Sequence, residues 1–369
     1  MHVLHIFNEI NFSGAEIMYA NAAPMFQAKG IQMTAVNTGD KLGNFASEFD
    51  KADIKIIHRP LSLGYKNPVF LFRYFRAVYA YIKKENVDVV HVHRSDVFWY
   101  YSLSAALAGK KTIMTPHNVF KNRKITWLKA YLERLSARKI LKTTFQTIGE
   151  SVYNNELIYY KNPSVRINNW YDAKRFYPPC INEKKELREK LGIEQDDFVV
   201  ISTGSCSAVK NHAAIIDAMA LLPPQHSCIY LHLGTGQLET TEIRKAAELN
   251  VSDKVKFLGN KVNVRDYLIA ADVYIMPSKF EGLSIAAIEA MACKLPSILY
   301  NSPGLTDLIK NDNNGFLIDP EPAQIAEKII LFKKNPDIAA EKGNNAFHFV
   351  QSSFSIENGV NGITELYSK

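Results

Sequence analysis

Glu281 and Glu289 flank a predicted helix start in the segment Pro277-Ser278-Lys279-Phe280-Glu281-Gly282-Leu283-Ser284-Ile285, which continues to Ala292. A strand is expected to end at Pro277 and a polar loop to follow, with Ser284 as the helix N-cap. Gly282 lets the backbone approach a ligand closely. The amides of Gly282, Leu283 and Ser284 would then face an anion such as a diphosphate, favoured by the helix dipole. Glu281 precedes the helix and Glu289 lies in its second turn. Both carboxylates suit bidentate bonds to sugar or ribose hydroxyls. Glu289 interrupts an apolar helix face and needs a partner there. The plainer alternative makes Glu281 a solvated loop acid and Glu289 a helix-surface acid.

Other loops carry chemistry of the same kind. In Thr203-Gly204-Ser205-Cys206-Ser207-Ala208-Val209-Lys210-Asn211-His212, Gly204 allows a tight turn and Lys210 offers a mobile charge suited to phosphate. Lys210 reads otherwise as an exposed helix-start lysine. Asn8–Glu16, with Gly14, links the first predicted strand to the first helix. Thr115-Pro116-His117-Asn118 follows another strand, and His91 and His93-Arg94-Ser95-Asp96 end a third. A lone histidine is more often structural than catalytic, but loops at strand ends are the usual functional ones. Gly234-Thr235-Gly236 is too short for a dinucleotide fingerprint. Cys180, Cys206, Cys228 and Cys293 have no paired spacing, so they suggest neither a zinc pattern nor a disulfide framework.

These loops need strands to position them. Val3–Phe7, Met33–Val36, Ile54–His58, Val87–Val92 and Thr112–Thr115 read as buried parallel strands, alternating with helices such as Glu16–Lys29 and Val69–Glu85. The pattern restarts with Phe198–Thr203, Ser227–Gly234, Lys254–Leu258, Val273–Pro277 and Pro296–Tyr300. The expected helices there are Ala213–Leu222, Glu239–Leu249, Val264–Ala270 and Ile285–Cys293. This is α/β doubly wound patterning, twice over, in a chain of 369 residues. The Pro178-Pro179 step suggests a linker, which divides the chain into 1–174 and 175–353. Residues 354–369 form a terminal helix expected to cross back to the first domain. Ligands of such sheets bind beyond the strands' C-terminal ends, here in a cleft between the two domains.

On these motifs the sequence resembles the retaining GT-B glycosyltransferases of the glycosyltransferase family 4 type, most densely over 199–320. The resemblance implies two Rossmann-like domains and transfer of a sugar from a nucleotide-sugar, with a UDP-sugar the expected donor. It implies that Glu281 meets the donor sugar and Glu289 the ribose. It places Lys210 on the diphosphate, Gly14 and Gly204 close to it, and Gly259 beside the base. His117 would lie beside the transferred sugar. His93, Arg94 and Asn118 would line the acceptor side. Ser205 stands where the family usually has arginine; Ser205 could donate a hydrogen bond, or Arg265 could supply the cation. Catalytic roles fall to His117, Lys210 and Glu281. The sequence has no Asp-x-Asp metal motif, so no metal or other cofactor is expected.

Charge points to partners. Residues 1–170 hold 23 Lys and Arg against 12 Asp and Glu; the remainder holds 21 against 25. In 119–142, Leu128, Tyr131, Leu132 and Leu135 recur at helical spacing, with Trp127 near the start. Lys121, Arg123, Lys124, Lys129, Arg134, Arg138, Lys139 and Lys142 stand around them. Such a helix suits an anionic membrane surface, its stripe partly in the core. A basic face that only maintains solubility is the alternative. No run reaches the roughly 20 apolar residues of a membrane span. The expected location is cytoplasmic, peripheral at the inner face of the cell membrane. The expected acceptor is a glycan or lipid-linked saccharide in cell-surface polysaccharide synthesis. No recognition helix or stacking platform suggests nucleic acid. A nucleotide-sugar epimerase of the same fold and a non-catalytic, membrane-associated nucleotide-sugar-binding partner are the competing functions.

Overall fold

The central apolar runs form strands buried along nearly their whole length, as parallel sheets covered by helices require. A computed structural model describes residues 1–61, 67–119 and 124–369. In order, the elements are β1 (His2–Phe7), α1 (Gly14–Ala28), β2 (Gln32–Asn37), α2 (Ala46–Lys51), β3 (Lys55–His58), α3 (Pro68–Lys84), β4 (Val89–Val92), α4 (Phe98–Leu107), β5 (Lys111–Met114), α5 (Lys124–Lys139), β6 (Thr144–Thr147), α6 (Glu150–Asn154), β7 (Val165–Arg166), α7 (Glu183–Leu191), β8 (Val199–Thr203), α8 (Ala213–Leu221), β9 (Ile229–Leu233), α9 (Glu239–Glu248), β10 (Val255–Phe257), α10 (Val264–Ala270), β11 (Val273–Met276), α11 (Ile285–Ala292), β12 (Ser297–Tyr300), β13 (Phe316–Ile318), α12 (Pro322–Lys334), α13 (Pro336–Ser353) and α14 (Ile356–Ser368).

The chain divides into two units: Met1–Trp170 with Ile356–Lys369, and Tyr171–Ser355. The first holds a seven-stranded sheet ordered β3-β2-β1-β4-β5-β6-β7; the second holds a six-stranded sheet ordered β10-β9-β8-β11-β12-β13. Their strand pairs are parallel. In each sheet the order reverses direction once, between β1 and β4 and between β8 and β11. In the first unit, Leu4, Ile6, Val90, Val92 and Met114 pack under Tyr74, Val78 and Ile82 of α3 and Phe98, Tyr101 and Ala105 of α4. Asn67 starts α3 by accepting from the amides of Val69 and Phe70, with Pro68 in the first turn.

The first unit ends at Trp170, ahead of the expected Lys174. The Pro-Pro step marks a loop inside the second unit, not a tether. Trp170, Tyr171 and Phe176 are buried. The Trp170 indole donates to the Met18 carbonyl (3.3 Å), and its ring lies where a side chain on Gly359 of α14 would be. Apolar burial, which a loop signal does not report, fixes this junction. Tyr171 pairs with Ser355, so the two chain crossings are adjacent.

The expected basic helix is α5. Lys121 and Arg123 lie outside the described residues, as does the Lys124 side chain. Among the described residues no helix is long and apolar enough to cross a membrane.

Candidate functional site

In the second unit the loops after β8 and β11 leave the sheet where its strand order reverses, the usual ligand position in such sheets. Several bonds join them. Lys279 N–H donates to the Val209 carbonyl (2.8 Å), and the Asn211 side-chain amide donates to the Pro277 carbonyl (3.3 Å). The Lys210 ammonium donates to Glu281 Oε1 at 2.7 Å. A cation and a carboxylate, both partly accessible, thus meet at the switch point. Gly204 has φ +151°, a conformation other residues rarely adopt. Its amide donates to the Leu233 carbonyl (2.9 Å).

The Gly234-Thr235-Gly236 loop has a packing role. A Cβ on Gly234 would collide with the Gly204 carbonyl, and one on Gly236 with the Cys206 carbonyl. Gly259 (φ +66°) extends the same face, its carbonyl accepting from the Gly234 amide (3.0 Å).

Ser284 caps α11, its hydroxyl accepting from the Ala287 amide (3.3 Å). Gly282, Leu283 and Ser284 are buried. The Asn301–Leu305 loop braces the segment: the Glu281 amide donates to the Pro303 carbonyl (2.8 Å), and the Ser302 hydroxyl to the Ser278 carbonyl (2.7 Å). Gly304 (φ +81°) brings this loop against the Glu281 backbone. No sequence spacing reveals this brace, although Ser302-Pro303-Gly304 after an apolar run is a turn signal.

Glu289 keeps some accessible surface. Desolvation depends on how much protein replaces bulk water around the carboxyl, not on contact area alone, and it pushes Glu289 up to about 8. Arg175 nearby opposes the rise and Asp172 adds to it. Glu289 is therefore largely a neutral acid at neutral pH.

Ser205 is exposed beside Lys210. Arg265 does not replace the arginine absent there. Its guanidinium donates to both Glu183 oxygens (2.5 and 3.0 Å) and to the Tyr177 and Pro178 carbonyls, and it stacks on the Tyr177 ring. These contacts hold the Pro-Pro loop.

In the first unit three histidines meet near the C-terminal ends of β1, β4 and β5: His5 lies within β1, His93 directly follows β4, and His117 lies in the loop after β5. His5 Nδ1 is 3.0 Å from His93 Nε2, and His93 Nδ1 is 3.0 Å from His117 Nε2. A neutral imidazole has one N–H, so the three tautomers must run in one common direction. Burial lowers His5 to about 3 and His117 to about 4, and it holds His93 well below its ordinary value. The row therefore stays neutral.

His91 is structural. The Gln146 amide donates to two backbone carbonyls, so its oxygen must accept from the Thr115 hydroxyl (2.5 Å). Thr115 then accepts from His91 Nε2 (2.7 Å), which leaves Nδ1 to accept from the Tyr367 hydroxyl of α14 (2.7 Å).

Arg94 is held by both Asp96 oxygens (2.8 and 2.9 Å) and the Thr38 hydroxyl (2.9 Å). Asn118 is exposed next to His117, and Gly14 is exposed at the start of α1. There the Ser13 hydroxyl donates to the Glu16 carboxylate.

The model described as Glycosyltransferase Family 4 matches residues 12–205, more than half of the chain, and that described as Glycosyl transferases group 1 matches 183–349. The chain belongs to glycosyltransferase family 4. This glycosyltransferase is 26% identical over 305 residues to the UDP-Gal:alpha-D-GlcNAc-diphosphoundecaprenol alpha-1,3-galactosyltransferase of Escherichia coli, covering 79% of this chain and 78% of that one. It is 25% identical to the lipopolysaccharide core biosynthesis mannosyltransferase LpsB of Rhizobium meliloti, covering 67% and 69%. Among solved structures, Anabaena HepE in complex with UDP matches with a TM-score of 0.85 at 19% identity, covering 100% of both chains. A glycosyltransferase from Rickettsia africae matches with the same TM-score at 21% identity, over 99% of this chain and 97% of that one. The architecture is GT-B, with two parallel-sheet Rossmann-like domains.

Proposed function

We propose that this glycosyltransferase moves a sugar, with retention and without a metal, from a UDP-sugar to a saccharide or lipid-linked saccharide in cell-surface polysaccharide assembly. The observation that carries the reading is the Lys210–Glu281 pair at the β8/β11 switch point, 2.7 Å apart. Lys210 meets the diphosphate and Glu281 the sugar hydroxyls, so donor binding separates the pair and gives each a new partner. The α11 amides and helix dipole add positive potential as the diphosphate departs. The anomeric carbon–oxygen bond breaks as the acceptor hydroxyl adds to the same face, and its proton passes to the leaving phosphate. His117, neutral, is the proposed contact to the transferred sugar. The UDP in the HepE structure and the UDP-Gal in the name of the Escherichia coli relative support the choice of donor.

Thermal-shift screening with UDP-, GDP- and ADP-sugars tests the donor. Binding at a hundredfold excess over Kd should stabilise by about 2.7 kcal/mol. A preference for GDP- or ADP-sugars overturns it. EDTA should leave transfer intact; abolition rescued by Mg²⁺ refutes metal independence. The anomeric configuration of the product, read by NMR, tests retention. Turnover without acceptor to an epimeric nucleotide-sugar would favour an epimerase. Binding with neither transfer nor donor hydrolysis would favour a non-catalytic partner.

Supporting the membrane reading, Leu128, Leu132 and Ile140 are exposed by half or more. They line a groove of about 880 Å³ with Trp99, Lys129 and Lys139. Apolar side chains rimmed by Lys129 and Lys139, with one acid, Glu133, 3.7 Å from Lys129, match an anionic lipid surface at the inner face of the cell membrane. Flotation should be stronger with anionic than with neutral liposomes and lost in Leu128→Glu/Leu132→Glu; equal recovery on both lipids defeats the idea.

A further inference from the structure

Behind the Lys210 loop lies a group of side chains that the transfer reaction does not use. Cys206 comes from the loop after β8, His212 from the residue before α8, His232 from β9 and Glu242 from α9. All are buried, with exposures of 0, 1, 0 and 2%. One ligand-type atom from each lies within 4.8 Å of the other three. Cys206 Sγ and His232 Nε2 are 3.1 Å apart.

As an ordinary polar core this group is poorly satisfied. Both ring nitrogens of His212 and both carboxylate oxygens of Glu242 lack a hydrogen bond of normal geometry. Buried polar groups rarely remain so, because each unpaired one costs about 1–3 kcal/mol. His232 differs in an informative way. Its Nδ1 faces the Ser202 hydroxyl (3.2 Å) and the Tyr230 hydroxyl (3.3 Å). With Nδ1–H donating there, the Nε2 lone pair points toward Cys206. Metal-binding histidines are oriented by an outer hydrogen bond of this kind.

We propose that Cys206, His212, His232 and Glu242 form a four-ligand site for a structural divalent cation of the zinc class. One sulfur, two imidazole nitrogens and one carboxylate oxygen suit zinc's borderline softness. A tetrahedron with zinc's usual bond lengths has edges of about 3.3–3.8 Å. Small side-chain adjustments from the present spacing reach that geometry. The thiolate and carboxylate each bring one negative charge, so a divalent ion leaves the buried site neutral. Thiol and acid protons leave to solvent as the ion binds. The ligand set is closed, which makes the ion a staple and not a Lewis acid for transfer. It would fix the loop carrying Ser205 and Lys210 to β9 and α9. The Cys206–Thr235 backbone bond (3.2 Å) and the Leu238–Cys206 backbone bond (3.0 Å) already follow that path.

The test uses the full chain with no histidine tag and does not depend on its donor or acceptor. After gel filtration in EDTA, elemental analysis should find about one zinc per chain, as expected of a closed site. Protein made under zinc depletion should gain thermal stability on adding Zn²⁺. Loaded with Co²⁺ instead, it should show a thiolate-to-cobalt charge-transfer band and the visible bands of four-coordinate cobalt. Cys206→Ser should abolish the charge-transfer band, and Glu242→Gln should weaken zinc binding at least tenfold. His5→Phe, which alters the separate His5–His91–His93 cluster, should leave metal content unchanged. Less than about a tenth of an equivalent of zinc, with no thermal response to added Zn²⁺, overturns the proposal. Cobalt binding without the charge-transfer band overturns it too, even if a variant fails to fold.

Discussion

Glu289 offers the sharpest test of the donor site. With its carboxyl held at about 8, roughly one unliganded molecule in ten carries the charge at pH 7. A carboxylate accepting two ribose hydroxyls must first lose its proton. Removing it at pH 7 costs about 1.4 kcal/mol, and almost nothing at pH 9. Donor Kd should therefore fall about tenfold between pH 7 and pH 9. The diphosphate of a nucleotide-sugar does not titrate there, and comparison with Glu289→Gln separates the protein's slope from any ionisation of the base near pH 9. Calorimetry in buffers of different ionisation enthalpy should detect close to one proton released per donor at pH 7, and Glu289→Gln should abolish both effects. Stability follows the same linkage. A folded-state value above the unfolded one means that the folded chain keeps a proton which the unfolded chain loses above about 4.5, so this group lowers stability as pH rises toward 8. Glu289→Gln should thus raise Tm, most clearly at pH 8 and above, while weakening the donor. A pH-independent Kd with no proton release would refute the reasoning.

Other expectations follow from the same geometry. Lys210→Ala should lower kcat by about 10²–10³-fold if the ammonium stabilises the departing diphosphate, with little change in Tm because the ion pair is partly exposed; steady-state kinetics with activity near wild type would sink that role. His5, held near 3 against an ordinary 6.5, refuses a proton that the unfolded chain accepts. It should remove about 1.4 kcal/mol of stability per pH unit as pH falls from 6.5 toward 4. Urea midpoints should show a shallower slope for His5→Phe, and an unchanged slope counts against the assignment. Gly234→Ala should weaken donor binding and lower Tm by several degrees, because its Cβ meets the Gly204 backbone, which cannot yield like a side chain; an unaltered melting curve would argue otherwise.

The strands were legible in sequence where β-branched runs are continuous. Thr144–Thr147 does not read as a strand, because its Gln146 serves a buried hydrogen-bond network and breaks the apolar run. Val165–Arg166 and Phe316–Ile318 are too short to show a period. The donor loops were readable because each lies within one continuous segment. The role of Asn211 was not, because its partner Pro277 comes from another strand end. The same holds for the histidine row: His5 sits in register with His91 only because β1 pairs with β4. Cys206 reads as isolated in the sequence for a related reason. Its neighbours His212, His232 and Glu242 come one at a time from separate elements, where no spacing rule can detect them.

The last helix has a consequence for the order in which the protein is made. Ile356–Lys369 belongs with the first unit, where Tyr367 supplies the proton that His91 accepts and the Leu366 carbonyl takes a bond from the Lys111 ammonium. During synthesis these residues emerge only after the whole of the second unit has been made. The usual order of N-terminal domain first is therefore inverted at the final step: the second unit has its whole sequence available before the first does. Until α14 arrives, the nascent first unit exposes Trp170 and leaves His91 without Tyr367. Chaperones that shield apolar surface on nascent chains would find it during that interval.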